Sequence, residues 1–376
     1  MPTLETTVNG LRLPNPFVIA SGPPGTNGNV IGKAFDEGWG AVVCKTISLH
    51  ADKVVNVQPR YARLRARGSD EVIGWENIEL ISDRPFATWL QEFRDIKARY
   101  PDRVLVASIM EEYSRAAWVE IVERCQTAGV DALELNFSCP HGLPERRMGS
   151  AMGENPELLA EVAEWANAAA SVPVWAKLTP NVTHVEEAGR AALAAGCEGL
   201  SAINTLRCIL GVDLETLRPE PNVEGYTTPG GYSSRAVMPI ALRMTMELSR
   251  LIRAESPQAT LQGIGGVETG SDAAQFLLLG ADTVQVCTGV MKFGYRLVHE
   301  LTASLLAFMQ RHGFERLDDF RGHSLQYVTT HADLVRRQAA ARQTRRHEQE
   351  QSGMIRDDAH WSGDAFVDQS DALARG

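Results

Sequence analysis

The sequence predicts an α/β fold, a (β/α)8 TIM barrel, and three observations support this prediction. Eight short runs are continuously apolar, as expected for parallel strands that are buried on both faces. Segments with helical spacing separate these runs. The segments DEGWGAVV, AGVDALEL, AGCEGLSA and LGADTVQV share one pattern, in which a helix ends at or near a glycine and a strand follows directly. A doubly wound sheet is the competing fold, but it would have fewer strands and a glycine-rich turn after the first one. The eight predicted strands are 17–21, 41–46, 104–110, 132–138, 172–179, 199–205, 260–266 and 283–289.

Local sequence signals define elements before and between these strands. TTVNGLRL, residues 6–13, predicts a small hairpin that turns at Asn9 and Gly10, a pair typical of tight hairpin turns. The clearest helix is NPELLAEVAEWANAAA, in which Asn155 is a suitable N-cap and Pro156 takes the first helical position.

Two connections are unusually long, and the C-terminal part has a different composition. Residues 47–85 and 206–236 follow the second and sixth strands, where the active-site loops of such barrels lie. After Leu334 the chain becomes polar and indicates a solvated helix followed by an extended tail. We therefore expect a barrel domain over 1–334 and a polar C-terminal helical extension over 335–376.

Composition and charge exclude several classes of protein. The chain has 376 residues, is 44% hydrophobic and carries a net charge of −10, which argues against binding to a nucleic-acid backbone. No apolar run approaches the roughly 18 residues that would span a membrane. The N-terminal segment lacks the pattern of a secretory signal, so we expect a cytoplasmic protein. The six cysteines show no C-x-x-C spacing, which argues against disulfides, iron–sulfur clusters and metal sites.

Polar residues are concentrated where the predicted strands end, at the barrel end that carries active sites. Lys45, Asn136, Lys177 and Asn204 lie in or directly after apolar strands, where an unpaired polar group is costly to bury. A single residue of this kind is often a satisfied core group, but four at one end of the barrel favour a ligand.

The chemistry of these residues suggests FMN and a cyclic amide. Gly265 and Gly266 after the seventh strand, and Thr288 after the eighth, fit a phosphate site of backbone N–H groups. Lysines next to a flat ring stabilise negative charge on it, and amides match the edge of a cyclic imide. Cys139 is the candidate proton carrier, because its thiol can donate and recover a proton; the competing interpretation is a buried structural cysteine.

The sequence resembles the FMN-binding barrel of dihydropyrimidine dehydrogenases, within the dihydroorotate dehydrogenase superfamily. The resemblance covers most of residues 10–330. Its motifs are NPFVIASGPP, GWGAVVCKT, NIELIS, ASIM, DALELNFSCPHG, AKLTPNVT, AINT, MPIALR and VQVCTG, of which SCPHG and AKLTPNVT are the most specific.

The resemblance implies an FMN-dependent oxidoreductase that acts on the C=C bond of a pyrimidine base or a similar cyclic amide. In that family the flavin N5 exchanges a hydride with C6 of uracil or thymine, while a cysteine exchanges a proton with C5. It implies Cys139 and Lys177 as catalytic residues, the first as acid and base and the second as a group that tunes the flavin. Implied substrate contacts are Asn77, Asn136, Ser138, Asn204 and Thr205; implied FMN contacts are Ala20, Ser21, Lys45, Thr46, Lys177, Ser234, Gly265, Gly266, Cys287 and Thr288.

The chain departs from the family pattern in three places. It has no cysteine after Cys287, so the iron–sulfur modules that supply electrons in those enzymes have no counterpart, and we expect a separate electron-transfer subunit, a soluble donor or a second substrate. Ser234 replaces a glycine of the flavin loop. Trp75 lies in a segment that is rich in small residues in the family, which predicts an altered cavity rim.

Two other functions stay open at this point. One is an FMN ene-reductase of a specialised pathway that reduces a different unsaturated ring. The other is a non-catalytic flavin-binding subunit of a larger complex, against which the presence of Cys139 and both lysines argues. The superfamily also implies a homodimer that binds a small-molecule substrate.

Overall fold

A closed barrel of eight parallel strands forms the centre of the molecule. The computed structural model describes residues 2–51, 54–138 and 149–352. Around the barrel the strands follow one another in chain order, and the last pairs with the first. The predicted TIM barrel is therefore confirmed, with slightly shorter strands. They are β3 (Phe17–Ile19), β4 (Ala41–Val43), β7 (Val104–Ile109), β8 (Ala132–Asn136), β9 (Val174–Lys177), β10 (Gly199–Ala202), β15 (Thr260–Ile264) and β16 (Thr283–Val286).

Helices follow the barrel strands and pack their apolar faces against them. The predicted helix is α5 (Pro156–Ala169), and the Asn155 side chain caps it by accepting a hydrogen bond from the backbone N–H of Leu158, with Pro156 in the first turn. The helices of this layer are α1 (Gly28–Glu37), α2 (Phe86–Arg99), α3 (Arg115–Thr127), α4 (Ser150–Gly153), α5 (Pro156–Ala169), α6 (Val185–Ala194), α7 (Met238–Glu255), α8 (Gly270–Leu278), α9 (Thr288–Phe293) and α10 (Leu297–His312).

The predicted N-terminal hairpin closes the barrel at the end where the strands begin. Strands β1 (Thr6–Val8) and β2 (Leu11–Leu13) pair antiparallel, and Asn9 and Gly10 both have positive φ, as a tight turn requires. The Asn9 carboxamide oxygen accepts hydrogen bonds from Trp175 Nε1 at 2.8 Å and from Thr260 Oγ1 at 2.6 Å. The hairpin thus fills the lower end of the barrel.

The two long connections join above the barrel in a second sheet that the sequence did not predict. Strands β5 (Tyr61–Arg65) and β6 (Val72–Asn77) come from the first connection, and β11 (Leu206–Cys208) and β14 (Gly230–Ser233) from the second. They form an antiparallel sheet in the order β11-β14-β6-β5, which we call the lid sheet. A separate short ribbon pairs β12 (Val212–Asp213) with β13 (Arg218–Pro219). The lid sheet therefore ties together two loops that are far apart in sequence.

The C-terminal part contains one long polar helix. The chain divides into two compact units after Leu325, and α11 (His331–Ser352) lies in the second of them. Its described side chains are mostly exposed, which agrees with the polar sequence of this segment. The sequence-based division into 1–334 and 335–376 stays a prediction.

Candidate active site

A cavity opens at the C-terminal ends of the barrel strands, under the lid sheet. Ligands of barrels of this kind bind at this end. Its wall contains nearly all of the sequence-predicted site residues that the structure describes: Ala20, Ser21, Lys45, Thr46, Asn77, Asn136, Lys177, Asn204, Thr205, Ser234, Gly265, Gly266, Cys287 and Thr288. Ser138 lies just behind the wall, and Cys139 lies outside the described residues.

Amide side chains form a connected network on one wall of the cavity. Asn136 donates from Nδ2 to Thr46 Oγ1 at 2.9 Å and accepts the Ser138 hydroxyl at 3.0 Å. Asn204 Nδ2 in turn donates to Ser138 Oγ at 2.7 Å. Ser138 is completely buried, so it holds the two amides in place and does not itself face the cavity. Such preset amides present donors and acceptors together, as recognition of a planar imide edge requires.

Lys45 is neutralised by a carboxylate in the cavity wall that the sequence analysis did not select. The Lys45 ammonium pairs with Glu79, which also accepts hydrogen bonds from Tyr61 at 2.5 Å and from Arg60 at 2.9 Å. Burial acts to raise the pKa of Glu79, but the charge of Lys45 and the three donors outweigh it and leave that pKa below its ordinary value. Glu79 is therefore ionised at neutral pH and offsets the charge of Lys45.

Lys177 has a different carboxylate partner, inside the barrel. Lys177 Nζ lies 3.1 Å from Glu134 Oε1, and the other oxygen of Glu134 accepts a hydrogen bond from Gln285 Nε2 at 2.9 Å. Glu134 is completely buried and is absent from the cavity wall, whereas Gln285 is part of it. The visible signal for Glu134 is a carboxylate within an apolar strand, but the sequence analysis gave it no role.

Glycines form the opposite end of the cavity, near the start of α9. Gly265 and Gly266 have φ of +137° and +78°, and a Cβ at Gly266 would lie 3.0 Å from the carbonyl oxygen of Ser234. Ser234 itself has φ of +81° and is only 1% exposed, and its hydroxyl has no hydrogen-bond partner. An unpaired buried hydroxyl beside glycine backbone of this kind fits a ligand oxygen, such as that of a phosphate.

The described cysteines are neutral thiols. Burial raises the pKa of Cys287, in the cavity wall, to about 11. Burial likewise raises the pKa of Cys44 and of Cys197 to about 12, and both side chains pack in the core. Cys287 is therefore a cavity contact with the low reactivity of a protonated thiol.

Glu76 anchors the lid sheet over this cavity. Its carboxylate is completely buried and accepts backbone N–H groups from Leu210 and Gly230, both at 2.8 Å. Burial raises the pKa of Glu76 above its ordinary value, although these two hydrogen bonds act against the shift. Asn77, the next residue, donates from Nδ2 to the Gly231 carbonyl at 3.0 Å. The position of a predicted substrate contact thus depends on how the lid sheet is assembled.

Within the described residues, no group of three or more His, Cys, Asp or Glu side chains could hold a metal ion. In the same part of the chain, every helix is too short or too polar to cross a membrane.

Comparison with known proteins places this architecture in one family. The family model described as Dihydroorotate dehydrogenase matches residues 3–309. The chain belongs to the dihydroorotate dehydrogenase family. This family consists of flavoproteins that oxidise or reduce CH–CH groups, so the chain is an oxidoreductase of that class.

Curated relatives cover almost the whole chain. A chloroplastic dihydropyrimidine dehydrogenase (NADP(+)) of Arabidopsis thaliana is 58% identical over 99% of this chain and 88% of its own length. The NAD-dependent dihydropyrimidine dehydrogenase subunit PreA of Escherichia coli K12 is 38% identical over 89% of this chain and 79% of its own. The catalytic subunit of dihydroorotate dehydrogenase B (NAD(+)) of Pyrococcus abyssi is 33% identical over 86% of this chain and 99% of its own length.

A solved structure shares the fold of this family member. The crystal structure of dihydroorotate dehydrogenase from Eimeria tenella in complex with ferulenol superimposes with a TM-score of 0.70, at 20% identity. The superposition covers 85% of this chain and 88% of the Eimeria tenella chain. This agreement supports the barrel architecture alone.

Proposed function

We propose that the chain is an FMN-dependent dihydropyrimidine dehydrogenase that exchanges a hydride between the flavin and the C=C bond of a neutral pyrimidine base. The observation that carries this proposal is a single cavity that combines a phosphate-type glycine end, two carboxylate-paired lysines and a fixed amide network. The 58% identical plant relative, which is named for this activity, supports the choice within the family.

The charges in the cavity favour a neutral ring over orotate. Lys45 is paired with Glu79 and Lys177 with Glu134, so each lysine already has a carboxylate partner. No arginine is among the described residues that line the cavity. A carboxylate substrate would need an uncompensated cation to offset its loss of hydration, and the described wall offers none. Uracil and thymine carry no such charge and need only the amide network.

The residues of the cavity suit FMN. When bound, FMN supplies the group that accepts and donates the hydride. We assign its phosphate to the backbone of Gly265 and Gly266 with Thr288 and the unpaired Ser234 hydroxyl. We assign its ring to the wall of Ala20, Ser21, Lys45, Thr46, Lys177 and Cys287. The lysines would hold positive charge next to the ring, while Asn77, Asn136, Asn204 and Thr205 orient the base.

Cys139 stays the proposed proton carrier. A thiol that is protonated near neutral pH can deliver a proton to carbon and take it back, which is general acid–base catalysis. In the sequence it directly follows Ser138, which is part of the amide network, and this adjacency supports the proposal.

Electrons are proposed to come from a separate electron-transfer subunit or a soluble donor. The Escherichia coli relative is named as a subunit, which supports a partner, and the present sequence has no C-x-x-C spacing for an iron–sulfur cluster of its own. We expect NADH or NADPH alone to leave the flavin of the isolated chain oxidised. Rapid anaerobic bleaching by either nucleotide would contradict this. We also propose a cytoplasmic homodimer, which sedimentation and cell fractionation can test.

The function is tested by anaerobic mixing of the photoreduced flavoprotein with uracil, thymine, orotate and fumarate. We expect the two neutral bases to reoxidise the flavin and orotate and fumarate to leave it reduced. Failure of both bases would refute the proposed substrate class, and a colourless protein that FMN cannot reconstitute would refute the flavin site. Reoxidation by another unsaturated ring alone would identify an ene-reductase.

Two cysteine variants test the proton carrier in the same assay. Cys139→Ser should slow reoxidation by uracil about 10²–10⁴-fold, the usual contribution of a general acid, and leave the flavin spectrum unchanged. Cys208→Ser is the matched control, because Cys208 lies outside the cavity wall and serine keeps a donor for Glu76. Equal rates for Cys139→Ser and the wild type would remove Cys139 from the mechanism.

A further inference from the structure

Glu134 is a carboxylate enclosed in the barrel just below the cavity. It lies on β8, is completely buried, and is flanked in sequence by the core residues Leu133 and Leu135. A buried carboxylate without partners costs several kcal/mol, so its surroundings must compensate for it. Since the ligand cavity does not reach Glu134, this compensation comes entirely from the protein.

Both carboxylate oxygens of Glu134 have a fixed donor from a different strand. Oε1 faces Lys177 Nζ on β9 at 3.1 Å, and Oε2 faces Gln285 Nε2 on β16 at 2.9 Å. The Gln285 amide must present its NH2 group here, because its oxygen would be repelled by the carboxylate. Rotation of the Glu134 carboxylate would break both contacts. Lys177 therefore has a partner of fixed position as well as opposite charge.

The Gln285 side chain is held from below by a polar column inside the barrel. Gln285 Nε2 also lies 3.4 Å from Ser201 Oγ, which is 3.4 Å from Gln262 Oε1. Gln262 Nε2 donates to Thr260 Oγ1 at 2.9 Å, and Thr260 donates to Asn9 of the hairpin at 2.6 Å. The column thus extends from the lysine of the cavity to the closed end of the barrel.

The two lysine–carboxylate pairs differ in the position of the carboxylate relative to the cavity wall. Glu79, the partner of Lys45, lies in the cavity wall and can respond to a bound ligand. Glu134 lies outside that wall, so its negative charge acts on a ligand only through Lys177 and through space. At a few ångströms in a low-dielectric interior, the presence or absence of one unit charge changes the equilibrium of a redox group substantially.

We propose that Glu134 is a positioning residue that holds the Lys177 ammonium against the flavin and offsets its charge, and thereby keeps the flavin reduction potential low. This inference rests on the proposed flavin site. Without the Glu134 charge, Lys177 would present an uncompensated cation to the ring, and the reduced, more negative flavin would be favoured. Gln285 and the column below it keep the carboxylate oriented toward Lys177.

The test is the two-electron reduction potential of the bound flavin, measured by anaerobic dye equilibration at pH 6.5. Glu134→Gln keeps the shape and removes the charge, and we expect its potential to rise by about 30 mV or more, a tenfold shift of the equilibrium. Glu134→Asp keeps the charge and should stay close to the wild type. Asp131→Asn is the control, because it removes one negative charge from a pair with Lys97 that is outside the cavity wall.

The outcomes separate this inference from the proposed function. If the wild type does not bind FMN, the proposed function and this inference are both refuted. If it binds FMN but Glu134→Gln has the wild-type potential, only the role of Glu134 is wrong. Equal shifts for Glu134→Gln and Glu134→Asp would indicate a structural role and overturn the inference as well. Should Glu134→Gln fail to fold, Lys177→Gln provides a second test. It leaves the negative charge of Glu134 uncompensated next to the flavin, so the reduction potential of the flavin must fall. An unchanged or higher potential there would also overturn the inference.

Discussion

Replacing Glu76 by glutamine tests whether a buried carboxylate holds the lid sheet over the cavity. The two carboxylate oxygens of Glu76 accept the backbone N–H groups of Leu210 and Gly230, each at 2.8 Å. Glutamine has nearly the same shape, but it replaces one oxygen by an NH2 group. One of the two N–H groups would then face another donor and lose its partner.

The size of the effect follows from these contacts. A buried N–H group without a partner costs about 1–3 kcal/mol. Opening of the lid sheet exposes that group to water and removes the penalty, so the variant should open more easily by a similar amount. Since 1.4 kcal/mol is a factor of ten, exchange of the Leu210 and Gly230 amide protons should become about 5–140-fold faster.

Hydrogen exchange followed by mass spectrometry measures this opening. Peptides that contain Leu210 and Gly230 should exchange faster in Glu76→Gln, while peptides from the barrel strands should be unchanged. Glu247→Gln is the matched control, because Glu247 pairs with Arg243 one turn away on α7 and is not part of the lid sheet. Wild-type exchange rates at Leu210 and Gly230 in the Glu76 variant would refute the anchoring role.

The same substitution predicts a pH dependence of stability. Burial raises the pKa of Glu76 above 4.5 in the folded chain, so between 4.5 and the raised value the folded state binds more protons than the unfolded state. The contribution of Glu76 to the free energy of unfolding therefore falls as pH rises through this window. Glutamine does not titrate, so the stability of the wild type relative to Glu76→Gln should decrease from pH 4.5 toward neutrality in urea titrations. A constant difference would contradict the raised pKa.

Three further predictions concern the cavity, its thiol and the C-terminal extension. Asn204→Ala removes an amide that is held by Ser138, and we expect about a 2–12-fold higher KM for uracil, since one neutral hydrogen bond is worth roughly 0.5–1.5 kcal/mol; an unchanged KM would exclude Asn204 as a substrate contact. Alkylation of Cys287, followed by mass spectrometry, should be negligible at pH 7 and accelerate about tenfold per pH unit, because burial raises its pKa to about 11; labelling as fast as that of a free thiol would contradict this. A chain that ends at Leu334 should bind FMN as tightly as the full chain in fluorescence titrations, and weaker binding would give the extension a role in the site.

The barrel could be predicted from sequence because each of its strands carries its own signal. A parallel strand that is buried on both faces is apolar throughout, as in Ala41–Val43, and a glycine such as Gly129 or Gly196 marks the end of the preceding helix. These signals are local and repeat with every βα unit. The polar residues that line the cavity are conspicuous for the same reason, because each interrupts or directly follows an apolar run.

The lid sheet could not be predicted, because its pairing depends on residues that are distant in sequence. Gly231 pairs with Asn77, and Tyr61 pairs with the same residue from the other side. The strand Tyr61–Arg65 is largely polar and exposed, so no alternation of buried residues marks it. Glu79 was missed for a related reason: it lies 34 residues after its partner Lys45, near the end of the long connection that follows the same strand, and only the fold brings the two charges together.

The shared lid sheet constrains how the specificity of this enzyme can change. Strands β6 and β14 come from separate loops, yet they pair through Gly231, Tyr232 and Ser233, and Asn77, Tyr232 and Ser233 of this pairing line the cavity. A Cβ at Gly231 would approach Thr205 Oγ1 to 2.2 Å, so this contact leaves no room for a larger residue. Substitutions in one loop must therefore be matched in the other. Libraries that vary residues 61–77 and 206–233 together should yield new ring specificities that neither loop can reach alone.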